Sequence, residues 1–149
     1  MKSNFLELIN EKVIVFDGAM GTYLQSLNLS IDEWGGSAFE NCSENLLYTR
    51  PDAIESVHKA FLEVGCDVIE TNSFGGSEIV LSEFGIAEKT YDVNKRAAAL
   101  AKRVASDYST KEKPRFVAGS IGPGTKLPTL GHITYRDLKK AYVEQIRGL

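Results

Sequence analysis

The sequence predicts an α/β fold built on a parallel sheet, and three recurrences carry that prediction. Val13-Ile14-Val15-Phe16 is a β-rich run that stops on Asp17 and breaks into Asp17-Gly18-Ala19-Met20-Gly21-Thr22. Val68-Ile69-Glu70 runs into Thr71-Asn72-Ser73-Phe74-Gly75-Gly76, and Phe116-Val117-Ala118 runs into Gly119-Ser120-Ile121-Gly122-Pro123-Gly124. Helix-like sequence follows each time. Alternating strands and helices imply parallel strands joined by right-handed crossovers. In such folds ligands bind at the carboxyl ends of the strands, where the loops gather. Three such loops point to three pieces of one site.

Each element has its own signal. Phe5, Leu6, Leu8 and Ile9 predict a short amphipathic N-terminal helix, followed by a strand over 13–16. Tyr23, Leu24 and Leu27 are the apolar positions of a helix over about 20–28. Residues 30–49 read as irregular. Arg50-Pro51-Asp52 opens a helix, since proline lacks an N–H that the first turn leaves unpaired anyway. Ile54, Val57, Phe61 and Val64 recur at helical spacing, His58 is read as a helix-surface residue, and Gly65 is the stop. A strand over about 66–71 is next, then a short helix of Ile79, Val80, Leu81 and Phe84 ended by Gly85. Val93, Ala97, Leu100 and Val104 mark a longer helix, with Asp92 as its cap. A polar connector, Lys111 to Pro114, leads to the third strand at about 115–119 and a Gly/Pro-rich loop over 122–131. Thr134 caps a last helix with Asp137 three positions later, and Leu138, Tyr142 and Ile146 are its expected inward face.

Composition excludes several function classes. The 149 residues fit one domain with a sizeable core. Seventeen Lys and Arg against 20 Asp and Glu, a net charge of −3, argue against a nucleic-acid platform or a membrane-surface binder. No apolar run approaches the ~20 residues of a membrane span, and the start, MKSNFLELINEK, lacks the pattern of a signal peptide. Two cysteines make no disulfide framework, so a reducing cytoplasm is the expected compartment.

The candidate site residues each have two readings. Asp17 is either a turn residue that accepts loop N–H groups or a carboxylate for a substrate ammonium. Gly18 and Gly21 either adopt positive φ or let a ligand reach backbone N–H groups that, with the following helix, suit an anion. Glu70, Thr71 and Asn72 crowd a strand tip with more polar groups than packing needs, although Glu70 also fits a solvated layer or a lysine partner. Cys42, Cys66, His58 and His132 are scattered, whereas a metal site needs about four ligands in tight geometry. Cys66, where a helix feeds a strand, is expected to be a small buried residue. Neither common phosphate-binding glycine motif is present.

Three stretches carry a family resemblance: VIVFDGAMGT (13–22), RPDAIESVHKAFLEVGCDVIETNSFGG (50–76) and RFVAGSIGPGTKLP (115–128). Together, in order and without large gaps from Val13 to Leu149, they resemble the homocysteine S-methyltransferase family, nearest its cobalamin-dependent branch. The resemblance implies a (β/α)8 TIM barrel, of which this chain would be the N-terminal part, about three β/α units. It implies a zinc-activated homocysteine thiolate that accepts a methyl group from methylcobalamin, giving methionine. The partners it implies are homocysteine and the cobalamin- and folate-binding modules of a larger enzyme. By the same resemblance, Asp17, Gly18, Ala19 and Met20 would hold the amino-acid end of homocysteine, with Thr71, Asn72 and Ser73 and then Ser120, Ile121 and Gly122 lining the same pocket.

The departures are as informative. The family's zinc ligands are three cysteines from later strands, two of them adjacent, and Cys42 and Cys66 match none of them. A full barrel takes about 250 residues. The expectation is therefore a fragment spanning 1–149 with no second domain, part of the substrate pocket, no bound zinc or cobalamin, and no activity of its own. The open sheet edge is expected to promote self-association. The competing reading is a non-catalytic α/β domain that binds a small amino acid.

Overall fold

The computed structural model describes residues 5–149. Eight helices and two strands are assigned among them: α1 (Phe5–Glu11), α2 (Met20–Ser26), α3 (Ile31–Trp34), α4 (Leu46–Thr49), α5 (Pro51–Val64), β1 (Val68–Glu70), α6 (Glu78–Leu81), α7 (Thr90–Tyr108), β2 (Phe116–Ala118) and α8 (Tyr135–Gly148). Strands β1 and β2 pair in parallel, with Val68 opposite Phe116 and Glu70 opposite Ala118.

The expected first strand is reduced to a single parallel bridge between Phe16 and Val68. Val15 O accepts from both Asp67 N (2.8 Å) and Val68 N (3.1 Å), and Asp17 N donates to Val68 O at 2.9 Å. The Asp67 side chain, not a strand neighbour, accepts the Val15 N–H at 3.0 Å, and Lys12 pairs with the same carboxylate at 2.6 Å. A ladder whose donor is taken by a side chain cannot propagate. The three segments nevertheless lie side by side, parallel and in chain order, as the alternation of strand and helix predicts.

Helix α5 begins on Pro51 and stops at Gly65, whose φ of 109° is the left-handed cap that glycine adopts without strain. Its buried stripe is Ala53, Ile54, Val57, His58 and Leu62. His58 is thus buried, contrary to the surface position read from the sequence. It lies four residues after Ile54, so helical geometry puts it on the apolar face whatever its polarity. Residues 30–49 are also more ordered than expected. Ser30 and Glu33 form a capping box that starts α3, and two 3-10 turns lead into α4.

Helix α7 begins at Thr90, two residues before the expected cap. Asp92 sits inside the first turn, where its carboxylate accepts from Tyr48 Oη and Arg96 Nε, both at 2.7 Å. Thr134 does cap α8, accepting the Asp137 N–H at 3.2 Å. The inward face of α8 is shifted by one position: Ala141 and Gln145 are buried, whereas Ile146 is 56% exposed. A Cβ on Gly148 would lie 2.7 Å from both Asn94 Cβ and Tyr91 O, so close seating against α7 sets this rotation.

Two apolar clusters hold the fold. One joins Leu24, Trp34, Leu46, Ile54, Val57, Leu81 and Val93. The other joins Leu62, Cys66, Ile69, Ala101 and Val104 beneath the sheet. Both helical partners of the sheet, α5 and α7, contribute to the second cluster. Phe5 of α1 meets Phe116 edge-on at 5.1 Å, at the end of the sheet opposite the loops. No helix among the described residues is long and apolar enough to cross a membrane.

Candidate functional site

The three loops meet at the carboxyl end of the sheet. They line a cleft of about 510 Å³ that includes Asp17, Gly18, Ala19, Met20, Thr71, Asn72, Ser73 and Ser120. Of the sequence-derived candidates, Ile121 and Gly122 are outside it. Ile121 is 42% exposed. Gly122 is buried behind the cleft wall, donating its N–H to Phe74 O at 3.0 Å and accepting from Tyr142 Oη at 3.0 Å.

The Asp17 side chain bridges two loops. One carboxylate oxygen accepts the Glu70 N–H at 2.9 Å. Burial, and then the neighbouring Glu70 carboxylate, push its pKa up to about 6 against the opposing Glu70 N–H. A carboxylate held this way gains most from a cation arriving in the cleft. Gly18 and Gly21 do not take positive φ; Ala19 does, at 48°. Apart from chain neighbours and, for Gly21, the backbone of its own helix, no atom lies within 4 Å of where a Cβ on Gly18 or Gly21 would be. The two glycines therefore border open space. Ala19 provides no side-chain cap for α2, so the first N–H groups of that helix lack the usual partner. A left-handed non-glycine residue at this point is the kind of local strain that clusters at binding sites.

The other two loops are knitted by hydroxyls. Ser73 Oγ donates to Ser120 O at 2.8 Å, so the 2.6 Å contact between Thr71 and Ser73 has Thr71 as donor. Thr71 Oγ1 in turn accepts the Ser120 N–H at 2.9 Å. Ser120 Oγ donates to Glu70 at 3.0 Å, and Asn72 Nδ2 donates to Ser43 O at 2.7 Å. Sequence reasoning missed the residues supplied from the segment before α4: Asn41, Ser43 and Glu44. Their one local signal is the polar run Asn41 to Asn45, which precedes the apolar Leu46-Leu47. Among the described residues, no basic side chain lines the cleft.

Among the described residues, the cysteines and histidines are not grouped to hold a metal ion. Cys42 belongs to the first apolar cluster and Cys66 to the second. Burial pushes the Cys42 thiol up to about 11 and raises Cys66 as well, which disfavours the thiolate that a metal needs. Among the described residues, no group of three or more His, Cys, Asp or Glu side chains is placed to hold a metal ion.

The chain is similar to known proteins along nearly its whole length. The family described as Homocysteine S-methyltransferase matches residues 14–149. The methionine synthase of Mycobacterium leprae is 44% identical over 147 residues, and that of Mycobacterium tuberculosis is 42% identical over the same length. Each alignment covers 99% of this chain but 12% of the relative. The metallated form of the homocysteine methyltransferase MmuM from Escherichia coli superposes with a TM-score of 0.74 at 19% identity, over 96% of this chain and 52% of MmuM. Its oxidized form gives 0.77, over 99% of this chain and 53% of MmuM. At such identity the superposition speaks for the fold, and the chain spans about half of that structure. The family match, covering nearly all of the sequence, is what decides membership: the chain belongs to the homocysteine S-methyltransferase family.

Proposed function

We propose that this chain supplies the homocysteine-binding cleft of a cytoplasmic methyltransferase that converts homocysteine to methionine, and that it forms the first β/α units of a (β/α)8 barrel. The observation that carries the reading is the convergence of three strand-tip loops on one cleft in a member of this family. A zwitterionic amino acid needs an anion for its ammonium and N–H donors for its carboxylate. Asp17 is the anion. With no basic side chain in the cleft among the described residues, the N–H groups around Gly18 to Gly21 are the donors. Thr71, Asn72, Ser73 and Ser120 line the rest, while Ile121 and Gly122 support the third loop from outside.

Zinc and methylcobalamin are proposed for the complete enzyme, together with its cobalamin- and folate-binding modules. The two thiols do not fit zinc, because they are buried apart and held protonated. No methyl-transfer step is therefore assigned to them, and the chain alone is expected to be inactive. Isothermal titration with L-homocysteine tests the binding reading. Saturable 1:1 heat that is lost in Asp17→Ala supports it. Identical affinity in that variant reduces Asp17 to a loop tie, and no heat at all refutes the cleft as a homocysteine site in this chain.

A further inference from the structure

We infer that Glu44, Asn94 and Gln145 are positioning residues, three buried side chains from three separate elements that fix the 73–76 turn forming one wall of the cleft. The inference rests on the homocysteine-binding reading above for its functional consequence.

Residues 73–76 form a tight turn closed by Gly76 N–H to Ser73 O at 2.9 Å. Four of its polar backbone atoms, Gly75 N and the carbonyls of Ser73, Phe74 and Gly76, are held by distant parts of the chain. Glu44, in the 3-10 turn before α4, accepts the Gly75 N–H at 2.7 Å. Asn94 of α7 donates Nδ2 to Gly76 O at 2.7 Å, and its second Nδ2 bond, to Thr90 O at 2.6 Å, fixes the side chain. Gln145 of α8 donates Nε2 to Ser73 O at 2.7 Å. Gly122 donates its N–H to Phe74 O. Glu44 is 5% exposed, and Asn94 and Gln145 are fully buried.

The glycines of the turn are part of the device. A Cβ on Gly75 would lie 2.8 Å from Glu44 Oε1, and one on Gly76 would lie 2.7 Å from Asn94 Oδ1. Only glycine lets these polar groups approach so closely. Packing alone does not call for this arrangement. None of the ion pairs among the described residues includes Glu44. Burying a carboxylate that has no basic partner is unfavourable, and an apolar side chain would hold two helices together at less cost. What the polar set adds is geometry. Phe74 and Gly75 form cleft wall, and Asn72 and Ser73 enter the same turn. Small displacements of such groups weaken binding steeply.

The test uses the ¹⁵N-labelled chain, amide hydrogen exchange and an NMR titration with L-homocysteine. Glu44→Ala and Gln145→Met are expected to keep the helical circular dichroism of the parent. They should speed exchange of the Gly75 and Gly76 amides about tenfold or more and weaken homocysteine binding about tenfold. Glu44→Gln, which keeps an acceptor oxygen, should restore both to within about threefold. If Glu44→Ala does not fold, Gln145→Met and Asn94→Ser carry the same comparison. Variants that melt earlier yet bind homocysteine as the parent does would show these residues to be structural only, and the inference would be wrong. If the parent itself binds no homocysteine, the functional reading fails. Exchange at Gly75 and Gly76 then decides alone: acceleration upholds the positioning role, and unchanged rates overturn it.

Discussion

Asp17 and His58 show burial acting on titratable groups with opposite signs. For Asp17 the folded pKa is raised from 3.8 to about 6. The fold favours its protonated form, so its stabilising contribution is present below about pH 4 and is lost as pH rises through 6. A ligand ammonium reverses that preference. Homocysteine affinity is therefore expected to fall as pH drops below 6, with proton release on binding near pH 5.5. Titrations in two buffers of different ionisation enthalpy measure that release. In Asp17→Asn the release should vanish, and affinity at pH 7.5 should fall by roughly 1.5–3 kcal/mol, the range of a charge-assisted bond. His58 goes the other way. Both ring nitrogens are buried without a protein partner, and burial pushes the pKa from 6.5 down to about 4. Its contribution is present above pH 6.5 and is lost as pH falls through 4, on the order of 3 kcal/mol in all. Urea unfolding of His58→Leu at pH 7.5 and 4.5 should show a smaller acid loss than the parent. An equal loss would place the acid sensitivity elsewhere.

At the scale of elements, the glycines separate fold from site. A Cβ on Gly122 would stand 2.5 Å from Phe74 O and 2.9 Å from its ring, and the carbonyl is backbone that cannot swing aside. Gly122→Ala is expected to destabilise by roughly 1–3 kcal/mol in urea unfolding. Gly18 has nothing within 4 Å of its would-be Cβ. Gly18→Val should leave stability within about 0.5 kcal/mol while blocking homocysteine. Loss of stability there instead would make Gly18 a folding residue. The same contrast explains what was legible in the sequence. Gly65, Gly85 and Thr134 announced element ends because caps are local chemistry. The register of α8 was not legible, since it depends on Gly148 seating against Asn94, 54 positions away. Asp17, Asn72 and Ser120 stood out because they follow β-rich runs. Glu44 did not, because its role is defined by an amide 31 residues later. The first strand was over-read: four apolar residues promise a strand, but the Asp67 side chain takes the Val15 N–H that a ladder would use.

For the whole molecule, the sheet is the least finished part. Val13 is 85% exposed, Val15 52% and Phe16 45%, on a segment held by one bridge. The opposite edge, β2, pairs only with β1 among the described residues. An exposed apolar edge is a template for pairing with another chain, and the charged blocks that natural edges use are missing here: Lys12 is already committed to Asp67. We therefore expect the purified chain to self-associate through the Val13–Phe16 segment, with a sedimentation coefficient that rises with concentration toward the order of 100 µM. Placing a charge on the edge should reverse this without touching the cleft. Neither Val13 nor Val15 lines the cleft, so the double variant Val13→Lys, Val15→Lys should sediment as a monomer over the same range and titrate homocysteine as the parent does. Its unfolding midpoint should change little, because lysine at an exposed edge position removes no buried contact. If the parent is a monomer throughout, the edge is covered by its own chain in solution and the association model fails. If the double variant still associates, the contact lies on the β2 edge instead, and the Val13–Phe16 segment is not the interface.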